Sequence, residues 1–123
     1  MEPNFLILYV SDMAKSVAFY TDVIGHPPVN AADTFTTFAL SSGVMFALWQ
    51  RDDVEPAAAT PGGVEVCLPA ESTAEVDAVA ATWRERGVPI DQEPVQMGFG
   101  YTFVGQDPDG HRLRVFFTAP PTT

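Results

Sequence analysis

The feature that most constrains this chain is an internal repeat. Residues 4–50 and 64–119 carry the same order of patterns: an apolar strand, a helix closed by glycine, a weak strand, a strand, a glycine turn and a final strand. Gly25 in the first copy matches Gly87 in the second, and Gly43 matches Gly110. Between the copies, residues 51–63 break the composition with Pro56, three alanines, Pro61, Gly62 and Gly63, as a connecting loop does. A repeat of this kind predicts one supersecondary unit used twice. Each copy is expected to form a curved sheet backed by one helix. The fold class is therefore α+β: two βαβββ modules (4–50 and 64–119, linker 51–63) in one domain spanning 1–123. Together they form a curved mixed sheet around a cavity, with the helices outside.

The local signals support that reading. Asn4–Val10 is rich in Leu, Ile, Tyr and Val and predicts a strand. Asp12 can cap a helix over Met13–Ile24, with Met13, Val17, Tyr20 and Ile24 on one face and Gly25 ending it. Thr34–Leu40 and Val44–Gln50 read as strands joined by a tight turn at residues 41–43. In the second copy Val64–Leu68 reads as a strand, and Ser72 with Glu75 forms a capping box. Val76, Val79, Ala80 and Trp83 make an apolar helical stripe, which assigns Trp83 to core packing. Val88–Ile90 holds Pro89 and predicts at best a weak edge strand. Gly100–Val104 and His111–Phe117 are strands joined by the turn Asp107-Pro108-Asp109-Gly110.

Alternation with period two assigns faces. Leu113, Val115 and Phe117 form the helix-facing set of the last strand, so Arg112, Arg114 and Phe116 face the other way. The match of Gly43 to Gly110 puts Met45, Ala47 and Trp49 on that same second face. Phe5, Ile7 and Tyr9 join them from the first strand, and Glu65 and Cys67 from the strand that opens the second module. This wall is mainly apolar and aromatic with a few charges, the usual composition of an organic-ligand pocket. Phe99 and Tyr101 flank Gly100 and are expected at the pocket mouth, with simple sheet packing as the alternative. Asp33, Phe35 and Thr37 are weaker candidates of the same kind.

Charge and composition exclude several classes. A formal net charge of −10 argues against nucleic acid and against anionic membrane surfaces as partners. No apolar run approaches membrane-spanning length. The opening Met1-Glu2-Pro3-Asn4 lacks the basic segment of a signal peptide, so the expected location is the cytoplasm. Cys67 is the single cysteine, which leaves no internal disulfide and reads as a small core or wall residue. The two histidines, His26 and His111, fall in separate loop or turn positions with no triad around them. No catalytic residue is assigned.

Leu8-Tyr9-Val10-Ser11-Asp12, leading to Ser16-Val17-Ala18-Phe19-Tyr20 and Gly25, and the later Asp107-Pro108-Asp109-Gly110-His111, resemble the vicinal oxygen chelate superfamily. That superfamily includes glyoxalase I, extradiol dioxygenases, and fosfomycin- and bleomycin-resistance proteins. Residues 4–10, Ser42–Met45 through Leu48-Trp49, Pro61–Gly63 and Gly110–Phe116 resemble its phenazine antibiotic resistance proteins. The resemblance implies a homodimer that binds a planar tricyclic compound without metal, with aromatic side chains stacking on it. Mapped onto this chain, the metal-ligand positions of the family enzymes fall at Phe5, Ala47, Glu65 and Arg114. Only Glu65 can coordinate a divalent ion, so no metal and no cofactor are expected.

Three readings follow. The first is a metal-free binder that sequesters a phenazine-like antibiotic and so confers resistance. Its ligand-binding residues are Trp49, Phe5, Ile7, Tyr9, Met45, Ala47, Glu65, Phe99, Tyr101, Arg114 and Phe116. The second is a metal-dependent enzyme of glyoxalase or dioxygenase type. The third is a binder of a cationic drug of bleomycin type. Trp49 serves either as a stacking surface or as a core or interface residue. Arg114 pairs either with a ligand carboxylate or with Glu65 across the sheet.

Overall fold

The computed structural model of the protein describes residues 1–120, and the chain divides into two compact units between Thr60 and Pro61. The elements run β1 (Phe5–Val10), α1 (Met13–Ile24), β2 (Asn30–Ala31), β3 (Phe35–Ala39), β4 (Met45–Gln50) and a short 3₁₀ turn over Arg51–Asp53. They continue with β5 (Glu65–Pro69), α2 (Thr73–Glu85), β6 (Ile90–Met97), β7 (Gly100–Gln106) and β8 (Arg112–Phe117). Each unit holds one four-stranded mixed sheet and one helix, in the orders β1-β4-β3-β2 and β5-β8-β7-β6. The first and last strands of each module lie side by side and parallel, while the other pairs are antiparallel. This is the α+β, twice-βαβββ architecture that the repeat predicts.

In the first unit, Asp12 caps α1 by accepting from the Lys15 amide, and Gly25 ends it in the left-handed region that favours glycine. Helix α1 buries Ser16 and Tyr20, while Met13, Val17 and Ile24 of the expected stripe are half-buried. Tyr20 packs on Phe46, with ring centroids 4.9 Å apart, and Phe46 packs on Phe38 at 6.2 Å. Leu8, Val10 and Leu48 complete this core.

In the second unit, the Ser72 hydroxyl accepts from the Glu75 amide, while the Glu75 carboxylate turns back to accept from the Glu71 amide. The box therefore closes one residue earlier than the usual form. Val76, Ala80 and Trp83 are buried, as are Phe103, Leu113 and Val115 on the sheet. Trp83 meets Phe103 edge-on at 5.2 Å. Gly105 is required beneath it, because a Cβ there would lie 2.8 Å from the Trp83 ring.

One element differs from expectation. The edge strand is not a weak Val88–Ile90 but an eight-residue β6 over Ile90–Met97. Two register shifts along its pairing with β7 let it bend, and Pro94 sits within the second of them, where no ladder donor is needed. Arg84 on α2 also donates to Glu93 of this strand.

Candidate functional site

Strand pairing fixes which side chains share a face. In the first unit, Phe5 stands opposite Met45, Ile7 opposite Ala47 and Tyr9 opposite Trp49. From the other side of β4, Phe35 stands opposite Trp49 and Thr37 opposite Ala47. The intervening residues, Leu8, Val10, Phe46 and Leu48, are buried on the helix side. The open face therefore carries an aromatic row. Phe5 lies 6.5 Å from Phe35, Phe35 lies 5.9 Å from Trp49, and Trp49 lies 6.3 Å from Tyr9, the last two pairs edge-to-face. Phe5 and Ile7 remain 45% and 38% exposed, and Met45, Tyr9 and Trp49 are half-buried. Ala47 shares the face but is fully buried, so it forms floor rather than a contact surface.

The second unit puts different chemistry on the same frame. Glu65 stands opposite Arg112, Cys67 opposite Arg114 and Pro69 opposite Phe116. Glu65, Cys67, Phe99, Arg114 and Phe116 line a cleft of about 330 Å³. Arg114 organises it. Its Nε donates to Glu65 Oε1 at 2.7 Å, and its Nη2 reaches Glu65 Oε2 at 3.4 Å. Its Nη1 donates to Gln92 Oε1 at 3.1 Å and to Thr102 Oγ1 at 3.2 Å. The guanidinium carbon lies 5.5 Å from the Phe99 ring centre, in cation–π range. Thr102 passes its own proton to the Val115 carbonyl, so the buried hydroxyl is satisfied on both sides.

The charges follow from this network. Hydrogen bonding to Arg114 holds the Glu65 carboxyl below its ordinary range, although burial works against it. Burial, helped by the Glu65 carboxylate, pushes the Cys67 thiol up, so the thiolate needed for nucleophilic attack is disfavoured at neutral pH. A second, more polar cleft of about 590 Å³ lies beyond Glu65 and is lined by the loop 61–64, Asp91, Gln106, Gly110 and Arg112. There Arg112 pairs with Asp91 at 3.3 Å, and Gln106 donates to the same carboxylate at 2.7 Å.

Tyr101 requires a correction. It pairs with Phe117 rather than Phe116, which turns it to the helix face, and its hydroxyl donates to Asp77 on α2 at 2.7 Å. It therefore does not line the cleft, whereas its neighbour Phe99 does. Gln92 and Thr102, which sequence reasoning did not single out, hold Arg114 in place. Gln92 lies between the two expected strands Val88–Ile90 and Gly100–Val104, where the sequence pattern assigns no element, and Thr102 resembles any other strand threonine.

The four positions at which family enzymes hold a metal do not fit one here. They carry a phenyl ring (Phe5), a buried methyl group (Ala47), a carboxylate (Glu65) and a guanidinium (Arg114) already bonded to that carboxylate. Among the described residues, no group of three or more His, Cys, Asp or Glu side chains is placed to hold a metal ion. Nor is any helix among them long and apolar enough to cross a membrane.

Fold, repeat and face chemistry define a class, and the comparisons agree. Residues 3–115 match the model of the Glyoxalase/Bleomycin resistance protein/Dioxygenase superfamily, and the chain belongs to that family. It is 31% identical over 116 residues to the phenazine antibiotic resistance protein EhpR of Enterobacter agglomerans, covering 92% of this chain and 89% of that one. It is also 31% identical over 116 residues to a trivalent organoarsenical cleaving enzyme of Bacillus sp. (strain MD1), covering 90% of this chain and 70% of that enzyme. Among solved structures, it resembles protein ATC0852 of Agrobacterium tumefaciens at 44% identity and a TM-score of 0.89, over 98% of this chain and 99% of that one. The family holds enzymes and resistance proteins alike.

Proposed function

We propose that this protein binds and sequesters a small planar aromatic compound of phenazine type, without metal and without turnover, and so confers resistance to it. The observation that carries the reading is the open aromatic row Phe5–Phe35–Trp49–Tyr9, which offers flat, rigid, part-exposed rings and begins with a phenyl ring at one of the family enzymes' metal-ligand positions, Phe5. The likeness to EhpR, a phenazine antibiotic resistance protein, supports the same ligand class. The Phe99–Phe116 cleft adds a second apolar surface. Its volume of about 330 Å³ lies within the usual range of ligand sites, roughly 300–1,000 Å³. Resistance then follows from lowering the free drug concentration, and the working state is a homodimer in the cytoplasm.

The organoarsenical cleaving relative supports an alternative, an enzyme, at equal identity. The pairing of Glu65 with Arg114 weighs against that second reading. The deciding experiment is equilibrium dialysis of EDTA-treated protein against phenazine, followed by chromatographic recovery of the compound. The binding reading predicts saturable retention and unchanged phenazine. Consumption of the compound, or retention only after a divalent ion is restored, contradicts it. Light scattering of the same sample checks the dimer.

A further inference from the structure

We infer that the compound held at the second unit's cleft is a neutral or cationic aromatic that gives an N–H or O–H hydrogen bond to Glu65, and is not an aromatic carboxylate. This rests on the binding reading above and goes beyond it by fixing the polar chemistry of the ligand.

The argument is an inventory of donors and acceptors. Arginine carries five N–H donors and no acceptor. Arg114 spends Nε on Glu65 Oε1, both Nη1 hydrogens on Gln92 and Thr102, and one Nη2 hydrogen on Glu65 Oε2. Its ring-facing side covers Phe99, and its side chain is only 16% exposed. The two-pronged fork that would grip a ligand carboxylate is already occupied by Glu65. Arg112 does not line this cleft. It turns to Asp91 in the neighbouring one.

Acceptor capacity, by contrast, is left over. An ionised carboxylate accepts at about four lone-pair sites. Glu65 Oε1 takes the short Arg114 bond and a long contact from the Cys67 Sγ at 3.8 Å, while Oε2 takes only the 3.4 Å contact from Arg114. The Glu65 side chain is 34% exposed and lines the apolar cleft beside Cys67. A ligand ring set against Phe99 and Phe116 thus meets an anionic acceptor at its edge. A ligand carboxylate would bring a second anion to Glu65 with one N–H left to receive it, in a chain of net charge −10.

The test compares two probes with the same ring, phenazine carboxamide and phenazine carboxylate, by calorimetric titration of the EDTA-treated full chain at neutral pH. The amide is expected to bind about 10-fold tighter or more, the range of a hydrogen bond to a charged group. In Glu65→Gln, with folding checked by thermal melting, most of that preference disappears, because the ligand carboxylate no longer faces an anion and the Arg114 charge is left uncompensated. Equal or tighter binding of the carboxylate by the natural sequence overturns the inference and leaves the aromatic-binding reading standing. Binding of neither probe overturns that reading and the inference together. A full amide preference in folded Glu65→Gln overturns the role of Glu65. Should the variant not fold, the comparison of the two probes on the natural sequence decides alone.

Discussion

Row for row, the two modules use one backbone frame for opposite chemistry. Ile7, Ala47 and Thr37 align across the first sheet as Cys67, Arg114 and Val104 do across the second. Phe5 with Met45 corresponds to Glu65 with Arg112, and Tyr9 with Trp49 corresponds to Pro69 with Phe116. The helix-facing rows are built alike: Leu8, Val10, Phe46 and Leu48 in the first unit and Phe103, Leu113 and Val115 in the second are apolar and buried. The open rows have diverged: one is a run of aromatic rings, the other an arginine held by a carboxylate, an amide and a hydroxyl. Core packing constrains one face of a repeated module, and the other face is free to carry function. Neither open face retains a set of donors that a divalent ion needs, but they lack it for different reasons. The row on the first, Phe5, Ile7, Tyr9, Met45, Ala47, Trp49, Phe35 and Thr37, offers no carboxylate or imidazole, and the second has used its Glu65 carboxylate on its own arginine.

The comparison can be broken most sharply at Arg114. Replacing it with alanine strips Glu65, Gln92 and the buried Thr102 of a shared donor, and should lower unfolding free energy by about 2 kcal/mol in chemical denaturation. The corresponding site in the first unit is already an alanine, so no such network exists there to lose. A loss well under half that value would show that the network is solvated and not structural.

Trp49→Ala probes the other face. A half-buried ring in an edge-to-face row should contribute about 1–1.5 kcal/mol to stacking, so phenazine affinity falls about 10-fold. Thermal stability should change less than in Arg114→Ala.

A smaller effect is expected from pH. The folded pKa of Glu65 lies below its ordinary value of 4.5, so the unfolded chain binds its proton more readily. Its stabilising contribution is complete above about pH 4.5 and is lost as pH falls through the lowered value. Glu65→Gln should therefore flatten the acid limb of a stability–pH curve and leave the neutral limb parallel. The smallest effect belongs to Tyr101→Phe. It removes the hydroxyl that meets Asp77 on the helix side, so melting temperature should shift slightly and phenazine affinity not at all. A clear loss of affinity would return Tyr101 to the cleft.

Much of this architecture is legible in the sequence because the signals agree across levels. Asp12, Gly25 and the intervening pattern delimit α1 as the structure has it, over Met13–Ile24. Matching Gly43 to Gly110 puts Met45, Ala47 and Trp49 on the face with Phe5, Ile7 and Tyr9, and the registers bear this out. The failures have physical causes. Strand β6 is an edge strand with two register shifts and a proline, so it shows no clean alternation and the sequence pattern assigns no element beyond Ile90. With β6 unseen, Gln92 could not be connected to Arg114. The glycines beside Tyr101 point to the pocket mouth, but Phe103 and Val104 are both buried, so β7 gives no alternation to fix its face. Of the two partners open to Arg114, the structure shows Glu65.

The central claim, a metal-free stacking surface at Trp49, is tested most directly by tryptophan fluorescence during phenazine titration of EDTA-treated protein, with Trp49→Phe alongside. The natural sequence should be quenched saturably. The variant retains Trp83, buried against Phe103, and should lose most of that response. Equal quenching of the variant, or quenching that appears only once a divalent ion is restored, contradicts the account.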